Sequence, residues 1–178
     1  MKNIVLLEGP DRSGKSTYAL KLNESLAFKT VGTRYAELLP NSRPSVRSFL
    51  SRMSHYEAFR LAITNEHQNI VIDRGFLSSY VYDTIRGIRD FEILSEMKLL
   101  NRTAEQYDVK VDFGIFKFAI DTPETQRDRG SLLESFEQTN FERINDAYAD
   151  AVARYKYCAE NYKFTNIEFT LSEITDEQ

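Results

Sequence analysis

Short runs of wholly apolar residues alternate along the chain with longer stretches in which apolar residues recur every three or four positions. Residues 4–7 (Ile-Val-Leu-Leu) form one such run, and Ile70-Val71-Ile72, ending at Asp73, forms another. Both are too short for helices and predict buried strands. Tyr18, Ala19, Leu22 and Leu26 fall at helical spacing and predict a helix over residues 16–26. Residues 28–31 form a weaker strand candidate. Pro44 can open a helix as its first residue. Val46, Phe49, Leu50, Met53, Tyr56 and Phe59 would give that helix an apolar stripe. Ile93, Leu94, Met97 and Leu100 predict a further helix, and residues 113–120 a strand stopping at Asp121-Thr122-Pro123. Phe141, Ile144, Tyr148, Val152 and Tyr155 mark a long late helix, and residues 164–171 a last strand.

Five strands that are apolar throughout, separated by amphipathic helices, imply an α/β domain. Its parallel sheet is expected to be covered by helices on both faces. Ligands bind such sheets beyond the carboxyl ends of the strands. That places Glu8-Gly9, Asp73-Arg74 and Asp121-Thr122 along one edge. A chain of 178 residues is one domain's worth. No repeat, linker or low-complexity run divides it.

Composition narrows the chemistry. Cys158 is the single cysteine, so neither an internal disulfide nor a cysteine-rich zinc site is available, and a cytoplasmic setting is expected. Net charge is −4, which argues against stable binding of nucleic acid. The first apolar run is too short for a signal peptide or a membrane span, and no membrane association is expected.

Gly9-Pro10-Asp11-Arg12-Ser13-Gly14-Lys15-Ser16 matches G-x-x-x-x-G-K-[ST] in full, between a predicted strand and a predicted helix. Gly9 and Gly14 let the backbone curl so that successive N–H groups, including that of Ser13, face a phosphate. The helix that follows aims its positive dipole end at the same anion. Lys15 would reach the β- and γ-phosphates of ATP, and Ser16, with Thr17 beside it, would supply a hydroxyl to Mg²⁺. Arg12 is either an arginine finger for the transferred phosphoryl group or a solvated loop charge. Asp11 is either an acceptor for a sugar hydroxyl or a turn former.

Asp73 lies where a carboxylate can hold Mg²⁺ or orient a nucleophile, and Arg74 is a two-pronged donor suited to phosphate. The pair reads equally as a surface ion pair. Gly75-Phe76-Leu77-Ser78-Ser79-Tyr80-Val81-Tyr82 carries hydroxyls suited to a sugar and base, or forms the first turns of a helix. Arg127 and Arg129 precede Gly130 after the fourth strand. They would ride on a lid that closes over a triphosphate, or on a solvated helix. His55 and His67 read as surface histidines and Cys158 as a small buried hydrophobe. Tyr155, Tyr157 and Tyr162 read as helix packing, and Arg86 and Arg89 as solvated.

At these positions the chain resembles the thymidylate kinase family of P-loop nucleoside monophosphate kinases. Leu7-Glu8-Gly9-Pro10-Asp11-Arg12-Ser13-Gly14-Lys15-Ser16-Thr17 is similar to the family's phosphate loop in its Asp-Arg form. Asp73-Arg74 followed by Ser78-Ser79 and Tyr82 is similar to its D-R-Y-x-x-S-S-x-A-Y signature. Thr33-Arg34-Tyr35, and Phe141-Glu142-Arg143-Ile144 with Tyr148, resemble its acceptor segment and its helix after the lid. The resemblance implies a single P-loop kinase domain over residues 1–178, with an acceptor region near residues 33–60 and a lid near residues 122–142. It implies that Asp11 holds the 3′-hydroxyl, that Arg12 is catalytic, and that Arg74 with Arg34 or Tyr35 clamps the acceptor phosphate. Tyr82 would reject ribose, Ser79 would contact the base edge, Phe49 would stack on the base and Arg52 would meet a base carbonyl. Gly75 stands where the family has tyrosine, and Asp83 where it often has glutamine. A homodimer through helices flanking the sheet is implied as well.

The activity expected is Mg²⁺-dependent transfer from ATP to dTMP. The alternatives are a kinase for another deoxynucleotide, a deoxynucleoside or a 5′-hydroxyl nucleic-acid end, and a nucleotide-binding protein without turnover.

Overall fold

The computed structural model describes residues 1–9, 15–26, 29–31, 43–88, 92–116 and 135–174. The described elements are β1 (Lys2–Glu8), α1 (Lys15–Leu26), β2 (Lys29–Val31), α2 (Pro44–Thr64), β3 (Asn69–Asp73), α3 (Phe76–Ile85), α4 (Ile93–Gln106), β4 (Val109–Phe116), α5 (Ser135–Asn161) and β5 (Ile167–Ile174). The strands form one sheet in the order β2-β3-β1-β4-β5, parallel at every pairing. After β3 the chain crosses over β1 to reach β4. The reversal of direction therefore lies beside β1, where α/β sheets open a crevice at their carboxyl ends.

The apolar run at residues 4–7 has two partners. Ile4 and Leu6 point into the larger core with residues of α2, α3, α4 and α5, while Val5 and Leu7 meet Ala19 and Leu22 of α1. A strand covered on both faces has no polar side to show, which is why this one reads as a continuous hydrophobic run. Burying each of these side chains contributes about 2 kcal/mol. Pro44 stands in the first turn of α2, as expected. The far end of that helix is satisfied by Lys2, whose Nζ donates to the carbonyls of Ala62 (2.8 Å) and Ile63 (3.0 Å), tying the helix to β1.

Several expectations need correction. The fourth strand runs over Val109–Phe116 and not residues 113–120, of which 117–120 lie outside the described residues. Val109, Val111, Phe113 and Ile115 enter the core, while Lys110 and Asp112 alternate with them, so β4 is not apolar throughout. The alternating charges hid its first half; Lys110 pairs with Glu168 of β5 at 2.9 Å. The last strand is Ile167–Ile174, three residues later than expected, because Phe164 sits in the turn before it.

Helix α2 turns over relative to its sequence pattern. Val46, Phe49, Met53 and Tyr56 are exposed, whereas Ser48, Ser54 and His55 are buried with Ala58, Phe59 and Ala62. The first half of its inner face is polar because it meets polar groups of α3. Tyr157 and Tyr162 are exposed and do not pack in the core, unlike Tyr155, which is fully buried. No helix among the described residues is long and apolar enough to cross a membrane.

Candidate active site

Strand β1 ends in Glu8 and Gly9, and α1 begins at Lys15. The flanks of the G-x-x-x-x-G-K-S motif are thus a strand and a helix N-terminus, the arrangement that cradles phosphate. Gly9 is buried with φ 150°, a backbone conformation that a side chain would oppose. Asp11, Arg12, Ser13 and Gly14 lie outside the described residues, as do the side chains of Lys15 and Ser16. Thr17 is exposed on the first turn of α1. Arg34, Tyr35, Arg89, Arg127, Arg129 and most of the lid segment also lie outside the described residues.

Strand β3 brings Asp73 and Arg74 alongside. Asp73 pairs in register with Leu7, so its carboxyl end stands next to the start of the phosphate loop. The Arg74 amide donates to the Leu7 carbonyl at 2.8 Å, and its backbone adopts φ 71°. This left-handed conformation costs a non-glycine residue about 1–2 kcal/mol. It turns the chain out of the strand and into α3. The Arg74 guanidinium lies 5.4 Å from the centre of the Tyr82 ring, and that of Arg86 lies 5.6 Å from it. Two cations thus converge on one buried tyrosine at the carboxyl end of the sheet. Arg86 is exposed, but it is placed against this ring and is not simply solvated.

Helices α2 and α3 face each other through hydroxyls. Ser48 Oγ donates to Asp83 Oδ2 at 2.6 Å, and Ser51 Oγ stands 3.1 Å from Ser79 Oγ and 3.4 Å from His55 Nε2. Ser79 is engaged with α2, Arg52 is half-buried, and Phe49 is 55% exposed. His55 is buried against Phe76 and is no surface histidine. Burial and the nearby Arg74 charge hold its imidazolium pKa down to about 3, so it is neutral.

A further cluster escaped the sequence reading. The Glu8 carboxyl is fully buried; its Oε2 accepts from the Ser78 amide at 3.1 Å and lies 2.5 Å from Ser78 Oγ, which donates to it when the carboxyl is ionised. Ser78 Oγ lies 2.9 Å from the Tyr148 hydroxyl, which donates to the Gly9 carbonyl at 3.0 Å. Burial pushes the Glu8 pKa up to about 7, against the pull of the Ser78 hydroxyl, the Gly75 and Ser78 amides and the Arg74 charge. The signal was available in the alternation of β1: positions 4, 6 and 8 share the core-facing side. Gly75 belongs here too. A Cβ at this position would fall 2.8 Å from Glu8 Oε1 and 3.5 Å from Leu6 Cδ2, so no tyrosine fits where the resembled family carries one.

Of the two residues expected to hold a metal, Asp73 ends β3, and the side chain of Ser16 lies outside the described residues. No group of three or more His, Cys, Asp or Glu side chains gathers among the described residues.

Comparison with known proteins agrees with this architecture. No family model matches the chain. A stretch of 96 residues, 54% of the chain, is 27% identical to the SPbeta prophage-derived uncharacterized protein YorR of Bacillus subtilis (strain 168) and spans 50% of that protein. The crystal structure of YorR in complex with phosphorylated GDP superposes with a TM-score of 0.50 at 24% identity, over 85% of this chain and 80% of that one. A deoxyadenosine kinase from M. mycoides with bound dATP gives 0.53 at 14% identity, over 92% and 88%. The same kinase with its products dCMP and dCDP gives 0.53 at 15%, over 86% and 85%. This chain therefore shares with these proteins an α/β fold, a parallel sheet flanked by helices.

Proposed function

We propose that the chain is a nucleoside monophosphate kinase that transfers the γ-phosphoryl group of ATP to dTMP, giving ADP and dTDP. The observation that carries this reading is the register of neighbouring strands, which sets Asp73-Arg74 beside Leu7, two residues before the start of the phosphate-loop motif at Gly9. A phosphate oxygen of the acceptor attacks the γ-phosphorus, and the bond to the β–γ bridging oxygen breaks, releasing ADP. Such transfers need positioning and charge neutralisation more than covalent chemistry. Lys15 and Arg12 serve the donor side; Arg74, with Arg34 or Tyr35, holds the acceptor anion. Asp73 and Ser16 would hold Mg²⁺, which would supply charge neutralisation at the phosphates.

The fold shared with a deoxyadenosine kinase favours one second reading, a deoxynucleoside as acceptor. A coupled ADP-release assay across dTMP, dUMP, other monophosphates, thymidine and deoxyadenosine separates the two. Lys15→Ala is expected to abolish transfer. Arg74→Ala is expected to raise KM for the monophosphate at least tenfold more than KM for ATP, the loss of about one charge-assisted hydrogen bond. Equal loss for both substrates, or turnover of nucleosides alone, refutes the assignment.

A further inference from the structure

The Glu8–Ser78–Tyr148–Gly9 chain has three oxygen–oxygen contacts, at 2.5, 2.9 and 3.0 Å. Each hydrogen bond needs a hydrogen of its own. With Glu8 ionised, only the Ser78 and Tyr148 hydroxyls supply one, and two hydrogens cannot fill three contacts. With Glu8 protonated there are three, and every contact is filled. The acid donates to Ser78 Oγ, Ser78 to the Tyr148 oxygen, and Tyr148 to the Gly9 carbonyl. We propose that Glu8 is a proton-gated positioning residue for the phosphate loop, whose neutral form holds the Gly9 carbonyl in place through Ser78 and Tyr148. This rests on the phosphate-binding reading of that loop.

Loss of the proton acts in two ways, both in the same direction. The carboxylate takes the Ser78 hydrogen, leaving the Ser78 oxygen and Gly9 carbonyl to compete for the one on Tyr148. It also places a buried negative charge directly before a loop that binds phosphate, where low polarity strengthens the repulsion. The groups facing Glu8 leave it as the one that switches near neutrality. Arg74, after β3, stays cationic. Tyr148 and Tyr155, on α5, are pushed well above the usual phenol range by burial, and Tyr82 stands edge-on behind Tyr148. His55 of α2, coupled to Arg74, stays neutral. Ser78 of α3 does not titrate, and the register partner on β4, Ile115, is apolar.

Because the anion and the carboxylate repel, phosphate binding must favour the neutral acid, and nucleotide binding takes up protons. The experiment is ADP titration calorimetry in buffers of differing ionisation enthalpy, from about pH 6 to about pH 8.5. Wild type is compared with Glu8→Gln and Tyr148→Phe, so that the titration of ADP itself cancels. Wild type is expected to take up more protons than Glu8→Gln near pH 8 and to lose about tenfold more affinity across the range. Tyr148→Phe is expected to bind at about pH 6 no better than wild type does at about pH 8.5. Equal proton uptake and equal pH dependence in wild type and Glu8→Gln overturn the gating while leaving the phosphate site intact. Wild-type affinity in Tyr148→Phe overturns the relay to Gly9. Absence of ADP binding by wild type at every pH overturns the phosphate-site reading and the gating with it.

Discussion

Substituting Glu8 by glutamine tests how the buried carboxyl loads the fold. In the unfolded chain this group titrates near 4.5; in the folded chain burial moves it to about 7. Between those values the native state binds a proton that the unfolded state has released. The stability attached to the neutral acid is fully present below pH 4.5, falls as pH rises through the window, and is gone above about pH 7. A shift of this size corresponds to about 3 kcal/mol. Glutamine keeps the shape and cannot titrate. The difference in unfolding free energy between the variant and wild type should therefore move in favour of the variant by about 3 kcal/mol from about pH 4 to about pH 8. Urea denaturation at several pH values measures it, and groups common to both proteins cancel in the difference. A constant difference across the range would refute the burial of the Glu8 carboxyl at the end of β1.

Other substitutions probe neighbouring contacts. Gly75→Ala puts a methyl group 2.8 Å from Glu8 Oε1, and thermal or urea unfolding should show a loss of about 1–3 kcal/mol from overpacking. Ser48→Ala removes the 2.6 Å donor to the buried Asp83 carboxyl. It should cost about 1–3 kcal/mol of unfolding free energy, measured by urea denaturation at neutral pH; an unchanged stability would show that the Ser48 hydroxyl does not hold Asp83. His55, held neutral by burial and Arg74, contributes stability that is present above its unfolded value of 6.5 and is lost as pH falls towards about 3. His55→Leu should flatten that acid limb, and an unchanged limb would show that another group causes it.

Much of the frame was legible in the chain. The β1 and β3 runs, the helix opening at Pro44, the late helix with Ile144, Tyr148 and Tyr155 inside, and the flanks of the phosphate loop all followed from local rules. Short apolar runs mean strands covered on two faces, and helical spacing of large side chains means one buried stripe. β4 was displaced because its charged residues lie on the side away from the core, and a search for continuous apolar runs misses an alternating strand. α2 failed more instructively. Val46, Phe49, Met53 and Tyr56 of its expected stripe face out while Phe59 stays in the core, since the surface of α3 opposite its first half carries Asp83 and Ser79, which hydrogen-bond Ser48 and Ser51.

The sequence by itself determined the strand and the helix that flank the G-x-x-x-x-G-K-S motif, because each follows from neighbours along the chain. It determined as well that Asp73-Arg74 ends a buried strand. What only the tertiary structure decided is which distant side chains share an environment. Tyr148 reaches Gly9 across 139 positions, and Ser78 reaches Glu8 across 70. No local pattern encodes such contacts. Burial, against the pull of those partners, turns an ordinary glutamate into a group whose pKa lies at about 7, because desolvation belongs to the folded arrangement and not to the residue.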